Sequence, residues 1–421
     1  MQEYKIAVIG LGYVGLPLAL EFGKHFPTYG YDTDKARTNS LKKGIDSNGE
    51  LNTEAFQESP NLTICDEADE IKFCTIYIVT LPTPVGVDHK PDLSYLINAS
   101  QLVGQCLKKG DLVIYESTVY PGATEDDCIP ILCRVSNLKL NSDFGVGYSP
   151  ERVNPGDTER PITQIVKVTS GSNPLWANKV DALYSKIILA GTFQVSSIKI
   201  AEAAKIIENT QRDLNIALIN QLAQLFSVLK IDTKEVLDAA STKWNFIPFK
   251  PGLVGGHCIS VDPYYLCHKA ESVGYIPDII LAARRLNDSM GAFIANEAVK
   301  LLSTNNIPVH SAKIIIFGIT FKENCGDTRN SKVVDIITEL KKFNCKIEVH
   351  DPIADTRVVS EKLGIKLTTR LSDNDYDLAI LAVGHDEYIQ HWPRYKSYLK
   401  ETGLVYDLKS VLPLDQINKR L

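Results

Sequence analysis

Cys258 stands in the run Gly255-Gly256-His257-Cys258-Ile259-Ser260-Val261-Asp262-Pro263, a thiol held between glycines and a carboxylate. The same chain opens with Gly10-Leu11-Gly12-Tyr13-Val14-Gly15, a pattern that cradles a dinucleotide when it follows a strand and opens a helix. Together the two features narrow the chemistry. An alcohol gives up hydride directly to a nicotinamide and needs no nucleophile. A thiol becomes necessary when the aldehyde must go on to an acid, because a thiohemiacetal can lose a second hydride.

The glycine run has the context that makes it specific. The apolar stretch Lys5 to Ile9 reads as a buried strand, Leu16 to Phe26 has helical spacing, and Thr28 to Tyr31 reads as a second strand ending at Asp32. The glycines permit a tight turn and close approach of backbone to pyrophosphate, and the helix N-terminus adds unpaired N–H groups and partial positive charge. A carboxylate at Asp32 suits the adenosine ribose hydroxyls and repels a 2′-phosphate, so NAD is expected rather than NADP. Arg37 is the nearby residue that could oppose this by binding that phosphate.

Lys205 and Asn209, four residues apart, share one face of a long helix predicted from Ser197 to Lys230, a stretch unbroken by Gly or Pro. Two donors so placed can support an oxygen that gains negative charge. On the helix alone, a surface lysine beside a polar neighbour is the favoured reading.

These residues must be carried by elements that the pattern supplies. Further strand-like runs are Cys74 to Val79, Leu112 to Tyr115 and Gln164 to Val168, alternating with helical stretches as in a parallel sheet. A second unit of the same type starts at Lys313 to Gly318. It continues through a helix from Val333 to Lys342 and strands at Cys345 to His350, Leu378 to Val383 and Leu404 to Leu408. The fold class expected is α/β, with two Rossmann-like parallel-sheet domains joined by a central helical region containing one long helix. The boundaries expected are 1–196, 197–305 and 306–421. Trp244 to Gly256, rich in Gly, Pro and aromatics, reads as a functional loop rather than a linker.

An ordered series of motifs now carries a family resemblance over essentially the whole chain. Its landmarks are Gly10 to Ala19, Leu81-Pro82-Thr83-Pro84, Glu116-Ser117-Thr118-Val119, Ser149-Pro150-Glu151-Arg152, Ala201 to Lys205 with Asn209, Gly255 to Cys258 with Asp262, Phe321-Lys322, and Asp327-Thr328-Arg329. The sequence resembles the nucleotide-sugar 6-dehydrogenases, which convert a UDP-hexose to its uronic acid with two NAD. The resemblance implies that Cys258 captures the C6 aldehyde and that Lys205 and Asn209 donate to the C6 oxygen. It implies that Asp262 orients the lysine or a water, and that Glu151 and Thr118 hold water in the hydrolysis and oxidation steps. By the same resemblance Gly10, Gly12, Tyr13, Val14, Gly15, Asp32, Arg37, Thr83, Thr118 and Arg329 meet the cofactor. Glu151, Arg152, Lys205, Asn209, Lys250, Gly255 and Lys322 meet the nucleotide sugar, with the Phe246 to Gly252 loop covering it. His257 is expected to shape the pocket rather than act as a base.

The run from His257 to Leu266 is similar to the N-acetylhexosamine branch, and Thr320 to Cys325 favours enzymes of UDP-GlcNAc or UDP-GalNAc over those of UDP-ManNAc. Gly326-Asp327-Thr328-Arg329 departs from this and resembles the UDP-glucose branch. Two rival readings remain: a single-step hydroxyacid dehydrogenase, which would need no cysteine, and a non-catalytic NAD sensor, against which Lys205, Cys258 and Asp262 argue.

Bulk properties set outer bounds. Across 421 residues, 44% hydrophobic and 23% charged, there is enough chain for two or three domains of ordinary globular composition. A net charge of -6 argues against nucleic acid and offers no basic patch to a membrane. Met1 leads almost directly into the first strand, which leaves no room for a signal peptide, and no apolar stretch approaches a bilayer span. Nine cysteines without paired spacing fit a reducing cytoplasm, and no Cys/His cluster suggests a metal. A cytoplasmic homodimer or higher homo-oligomer is expected, with the long helix at its core. Its product would feed capsule, O-antigen or other surface polysaccharide synthesis.

Overall fold

The computed structural model describes residues 4–47, 51–86, 88–153, 160–256 and 258–421. Internal contacts divide the chain into two compact units, Met1–Glu208 with Tyr264–Tyr275, and Asn209–Pro263 with Ile276–Leu421.

The first unit is built on an 8-stranded sheet. Its strands are β1 (Ile6–Ile9), β2 (Thr28–Tyr31), β3 (Leu62–Cys65), β4 (Ile76–Val79), β5 (Leu112–Tyr115), β6 (Gly145–Tyr148), β7 (Lys167–Gly171) and β8 (Thr192–Gln194). Their spatial order is 3-2-1-4-5-6-7-8, and all pairs are parallel except β6 with β7. The β1 run Ile-Ala-Val-Ile is buried throughout, as a parallel strand covered on both faces requires. Ile6, Val8, Ile76, Ile78, Leu112 and Ile114 form the core on one face with Leu18, Phe22 and Val180 from flanking helices. Strand order reverses between β1 and β4, which opens a crevice at their carboxyl ends.

The second unit repeats the principle with β9 (Lys313–Phe317), β10 (Lys346–His350), β11 (Tyr376–Leu381), β12 (Leu399–Asp407) and β13 (Lys419–Arg420), ordered 10-9-11-12-13. Ile314 and Ile316 face one core with Ile294, Ala298, Ile336 and Leu340. Ile315 and Phe317 face the other with Tyr388, Trp392 and Tyr395. Two covered faces explain why β9 is almost wholly apolar. Here the order reverses between β9 and β11.

The long helix runs Ile198–Leu229, and a second of 27 residues runs Asp278–Thr304. One strand expected from sequence is displaced. The run Gln164 to Val168 was to be a strand, but Pro161 opens a 3₁₀ turn over Ile162–Gln164 and the strand starts only at Lys167. Pro161 presets the turn geometry, and its carbonyl accepts the Gln164 N–H at 2.9 Å.

Candidate active site

The crevice beside β1 carries the glycine turn. Gly10 has φ of 94°, a left-handed conformation that costs a side-chain-bearing residue energy. A Cβ on Gly15 would lie 1.8 Å from the Gly10 carbonyl oxygen, so that glycine lets the helix pack on the turn. Gly12 is different: a Cβ there would meet nothing within 4 Å among the described residues. Backbone bordering open space at a helix start suits a pyrophosphate, and the turn therefore fits a dinucleotide.

Asp32, at the end of β2, accepts the Leu11 N–H through Oδ2 at 2.8 Å and the Asp34 N–H through Oδ1 at 2.9 Å. Each carboxylate oxygen keeps acceptor capacity for ribose hydroxyls. Arg37 is buried and already engaged. Its Nη1 donates to Asp46 at 2.6 Å and Ser47 at 2.9 Å, and its Nε donates to the Leu11 carbonyl at 3.1 Å. It braces the glycine turn from beneath, and only Nη2 lacks a partner among the described residues. Thr83 donates to the Thr118 carbonyl at 2.6 Å, which joins two residues named on separate motifs. Tyr13 and Val14 lie half-buried on the turn.

Beyond β5 and β6 the same unit buries an ionic cluster. Lys167 Nζ is 2.6 Å from Glu116 Oε2 and 3.7 Å from Glu151 Oε2, and the Tyr184 hydroxyl donates to Glu116. Burial pushes the Glu116 carboxyl upward, Lys167 opposes that shift, and the Glu151 charge adds to it. Glu151 Oε1 accepts the Arg152 N–H at 2.6 Å and also the Val153 N–H, whereas its buried Oε2 has no hydrogen-bond partner among the described residues. Arg152 pairs with Glu208 at 2.8 Å. Sequence reasoning gave Glu116 no role and missed Lys167, whose only signal is a lysine opening an otherwise buried strand.

Along the long helix, Glu202, Lys205, Asn209, Asp213 and Asn220 are all buried, at most 8% exposed. Their spacing of three, four, four and seven keeps them on one stripe. Lys205 is therefore no ordinary surface lysine.

In the second unit, Asn209 Nδ2 donates to Asp262 Oδ2 at 2.5 Å. The Cys258 carbonyl accepts the Val261 N–H at 3.0 Å and the Asp262 N–H at 2.8 Å, so the nucleophile candidate begins the turn that leads into the Asp262–Ser272 helix. Cys258 is half-buried, and His257 lies outside the described residues.

A cleft opens at the carboxyl ends of β9, β11 and β12, at the switch in strand order. Gly255, Phe321, Lys322, Ser331 and Lys332 line it. Asn220 fastens its rim: Nδ2 donates to the Gly252 carbonyl at 3.0 Å, and Oδ1 accepts the Gly252 N–H at 2.7 Å. Lys250 is exposed and lies outside the lining, as does Arg329, whose Nη2 pairs with Asp327 at 2.6 Å. Among the described residues no group of three or more His, Cys, Asp or Glu could hold a metal, and no helix is long and apolar enough to cross a membrane.

Comparison with known proteins places this geometry. Three models of the UDP-glucose/GDP-mannose dehydrogenase family match in order: the NAD binding domain over residues 4–188, the central domain over 199–289 and the UDP binding domain over 315–414. A UDP-N-acetyl-D-glucosamine 6-dehydrogenase of Salmonella typhi is 51% identical over 422 aligned residues, covering 100% of this chain and 99% of that protein. A Pseudomonas aeruginosa protein of the same name is 52% identical, with 100% of each chain covered. The solved structure of a UDP-D-ManNAc dehydrogenase from Pyrococcus horikoshii superposes with a TM-score of 0.89 at 28% identity, over 99% of this chain and 98% of that one. The glycine turn thus belongs to an NAD-binding domain and the cleft to a UDP-binding domain. The chain belongs to the UDP-glucose/GDP-mannose dehydrogenase family and is an NAD-dependent UDP-sugar dehydrogenase.

Proposed function

We propose that this enzyme oxidises the C6 hydroxyl of a UDP-N-acetylhexosamine, UDP-GlcNAc or UDP-GalNAc, to the carboxylate in two steps. The observation that carries the reading is full-length identity of 51% and 52% to two UDP-N-acetyl-D-glucosamine 6-dehydrogenases. NAD, held by Gly10, Gly12, Gly15 and Asp32, supplies a hydride acceptor for each oxidation.

The chain's own residues do the rest. Lys205 and Asn209 support the C6 oxygen as it gains charge. The Cys258 thiolate adds to the C6 aldehyde and gives a thiohemiacetal, whose oxidation leaves a thioester. Glu151, with one carboxylate oxygen lacking a hydrogen bond among the described residues, and Thr118 hold the water that hydrolyses it. Asp262, bonded to Asn209, orients the lysine or a water. Lys322 and the Lys250 loop bind the nucleotide sugar, and so does Arg152, which pairs with Glu208 of the long helix at 2.8 Å. The family models support three domains near 1–196, 197–305 and 306–421. Exposed Leu218, Leu225, Val228 and Leu229 on the long helix support a homodimer. The uronic acid suits capsule, O-antigen or other surface polysaccharide synthesis in the cytoplasm.

A panel of UDP-sugars followed by NADH formation tests the substrate. The kcat/KM for UDP-GlcNAc or UDP-GalNAc should exceed that for UDP-glucose by about 100-fold or more, as expected of a site that binds the acetamido group. Equal efficiency with UDP-glucose would remove the N-acetylhexosamine assignment.

A further inference from the structure

Asn330 ties the Cys258 turn to the wall of the nucleotide cleft. Its backbone is left-handed, with φ of 50°, a conformation that asparagine tolerates better than most residues. From there Nδ2 donates to the Gly256 carbonyl at 3.0 Å and to Ser260 Oγ at 2.8 Å. Ser260 Oγ in turn donates to the Gly256 carbonyl at 2.8 Å. The residues two before and two after Cys258 are thereby held by one side chain.

The contact is close on the backbone side as well. A Cβ on Gly255 would lie 2.7 Å from the Asn330 carbonyl oxygen, so only glycine lets the two segments meet. Ser260 is 3% exposed, which makes its hydrogen bonds hard to replace with water.

The segment that bears Asn330 is also the cleft wall. Lys322 lies eight residues before it, Ser331 and Lys332 follow it directly, and all three line the cleft with Gly252 and Gly255. Residues 318–332 contain neither helix nor strand. Such a loop takes its geometry from turn hydrogen bonds, such as Phe321 N–H to the Asp327 carbonyl at 3.1 Å, and from side-chain contacts. Lys332 now spends its charge on Asp288 at 3.2 Å and Asp335 at 3.3 Å. A diphosphate in the cleft would compete for that ammonium and for Lys322, and Asn330, two residues before Lys332, joins this segment to the Cys258 turn.

We propose that Asn330 is a positioning residue that couples nucleotide occupancy of the cleft to the setting of Cys258. The proposal rests on the reading of the cleft as the UDP site and of Cys258 as the nucleophile. It adds that the nucleotide half of the substrate helps to order the thiol that attacks the sugar half. Binding energy from the remote nucleotide is then used in the chemical step.

The test uses the full chain with UDP alone at saturating concentration, its binding established by calorimetry, and amide hydrogen exchange at Val261 and Asp262. In the unmodified protein UDP should slow exchange at these amides about 5-fold or more, the lower end of ordinary site-to-site coupling. Asn330→Gly keeps the left-handed backbone without strain. It should still bind UDP, lose the exchange response, and lower kcat by up to about 100-fold with a smaller change in KM. Asn330→Asp keeps the shape, replaces the donor by an acceptor, and should behave alike, so a folding defect in one variant does not decide the matter. If either folded variant retains the full UDP response, or if the unmodified protein binds UDP with no change at Val261 and Asp262, the coupling is wrong. If UDP does not bind at all, the reading of the cleft falls, and the coupling with it.

Discussion

Asp32 and Asp351 make the same bond in the two units. Each ends the second strand of its sheet, and each accepts through Oδ2, at 2.8 Å, the N–H of the residue that follows a left-handed glycine: Leu11 after Gly10, Ile319 after Gly318. Their other oxygens accept an N–H two residues on, from Asp34 and Ile353, both at 2.9 Å. The equivalence stops at the open side. Asp351 also accepts from Ala354 at 2.8 Å and lies 3.2 Å from His385 Nε2. Burial would push its carboxyl up, but His385 and the backbone N–H groups outweigh that and hold it at about 2. Asp32 keeps acceptor capacity for a ribose, whereas Asp351 is closed into a structural lock.

Cofactor choice follows from that open carboxylate. Asp32 should disfavour a 2′-phosphate by about 1–3 kcal/mol, or roughly 5- to 150-fold in binding. Comparison of kcat/KM for NAD and NADP measures it. Arg37, engaged by Asp46 and Ser47, is poorly placed to rescue NADP. Equal efficiency with the two cofactors would contradict the role given to Asp32.

A pH dependence of stability should trace to Glu202. It is buried beneath the loop after β5 and accepts N–H groups from Gly122 and Thr124, the latter at 3.0 Å. Burial raises its carboxyl from 4.5 to about 7 against those donors, with nearby Glu125 pushing the same way. Lys199 and Lys205 are the cations nearest it in sequence on its own helix. A raised folded-state value means that the protonated form stabilises the fold. That contribution is complete below pH 4.5 and is lost as pH rises toward 7. Subtracting the urea stability of Glu202→Gln from that of the unmodified protein should give a difference that falls across this window by at most about 1.4 kcal/mol per pH unit. A flat difference would mean that Glu202 does not titrate there.

The parts legible in the sequence were those with local causes. Strand, glycine turn, helix and acid from Ile6 to Asp32 follow from short-range pattern, and so does the long helix, with its uninterrupted apolar period. The partners were not legible. Lys167 becomes notable only when β7 brings it against Glu116, 51 residues earlier. No local pattern reveals that Asp46 pairs with Arg37. Asn330 lies 74 residues from Gly256, and no spacing rule links a left-handed asparagine to a distant glycine turn. Local preference sets elements, whereas contacts that close long loops depend on the whole fold.

Replacing Cys258 by serine separates covalent chemistry from binding. The hydroxyl hardly ionises at neutral pH, and an ester hydrolyses less readily than a thioester. UDP-sugar and NAD binding should survive, turnover should fall by several orders of magnitude, and a sugar ester on the serine should be visible by intact mass. Retention of more than about a tenth of the rate, a loss under roughly 1.4 kcal/mol, would rule out covalent catalysis at Cys258.

The most direct test of the central claim is the count of NADH formed per UDP-GlcNAc or UDP-GalNAc consumed, with an aldehyde trap present throughout. Oxidation from alcohol to acid removes four electrons, and each NAD accepts two of them as a hydride. The account predicts two NADH for each sugar and nothing in the trap, because Cys258 holds the aldehyde until it is oxidised. One NADH for each sugar, with aldehyde recovered in the trap, would contradict it and leave a single-step alcohol dehydrogenase.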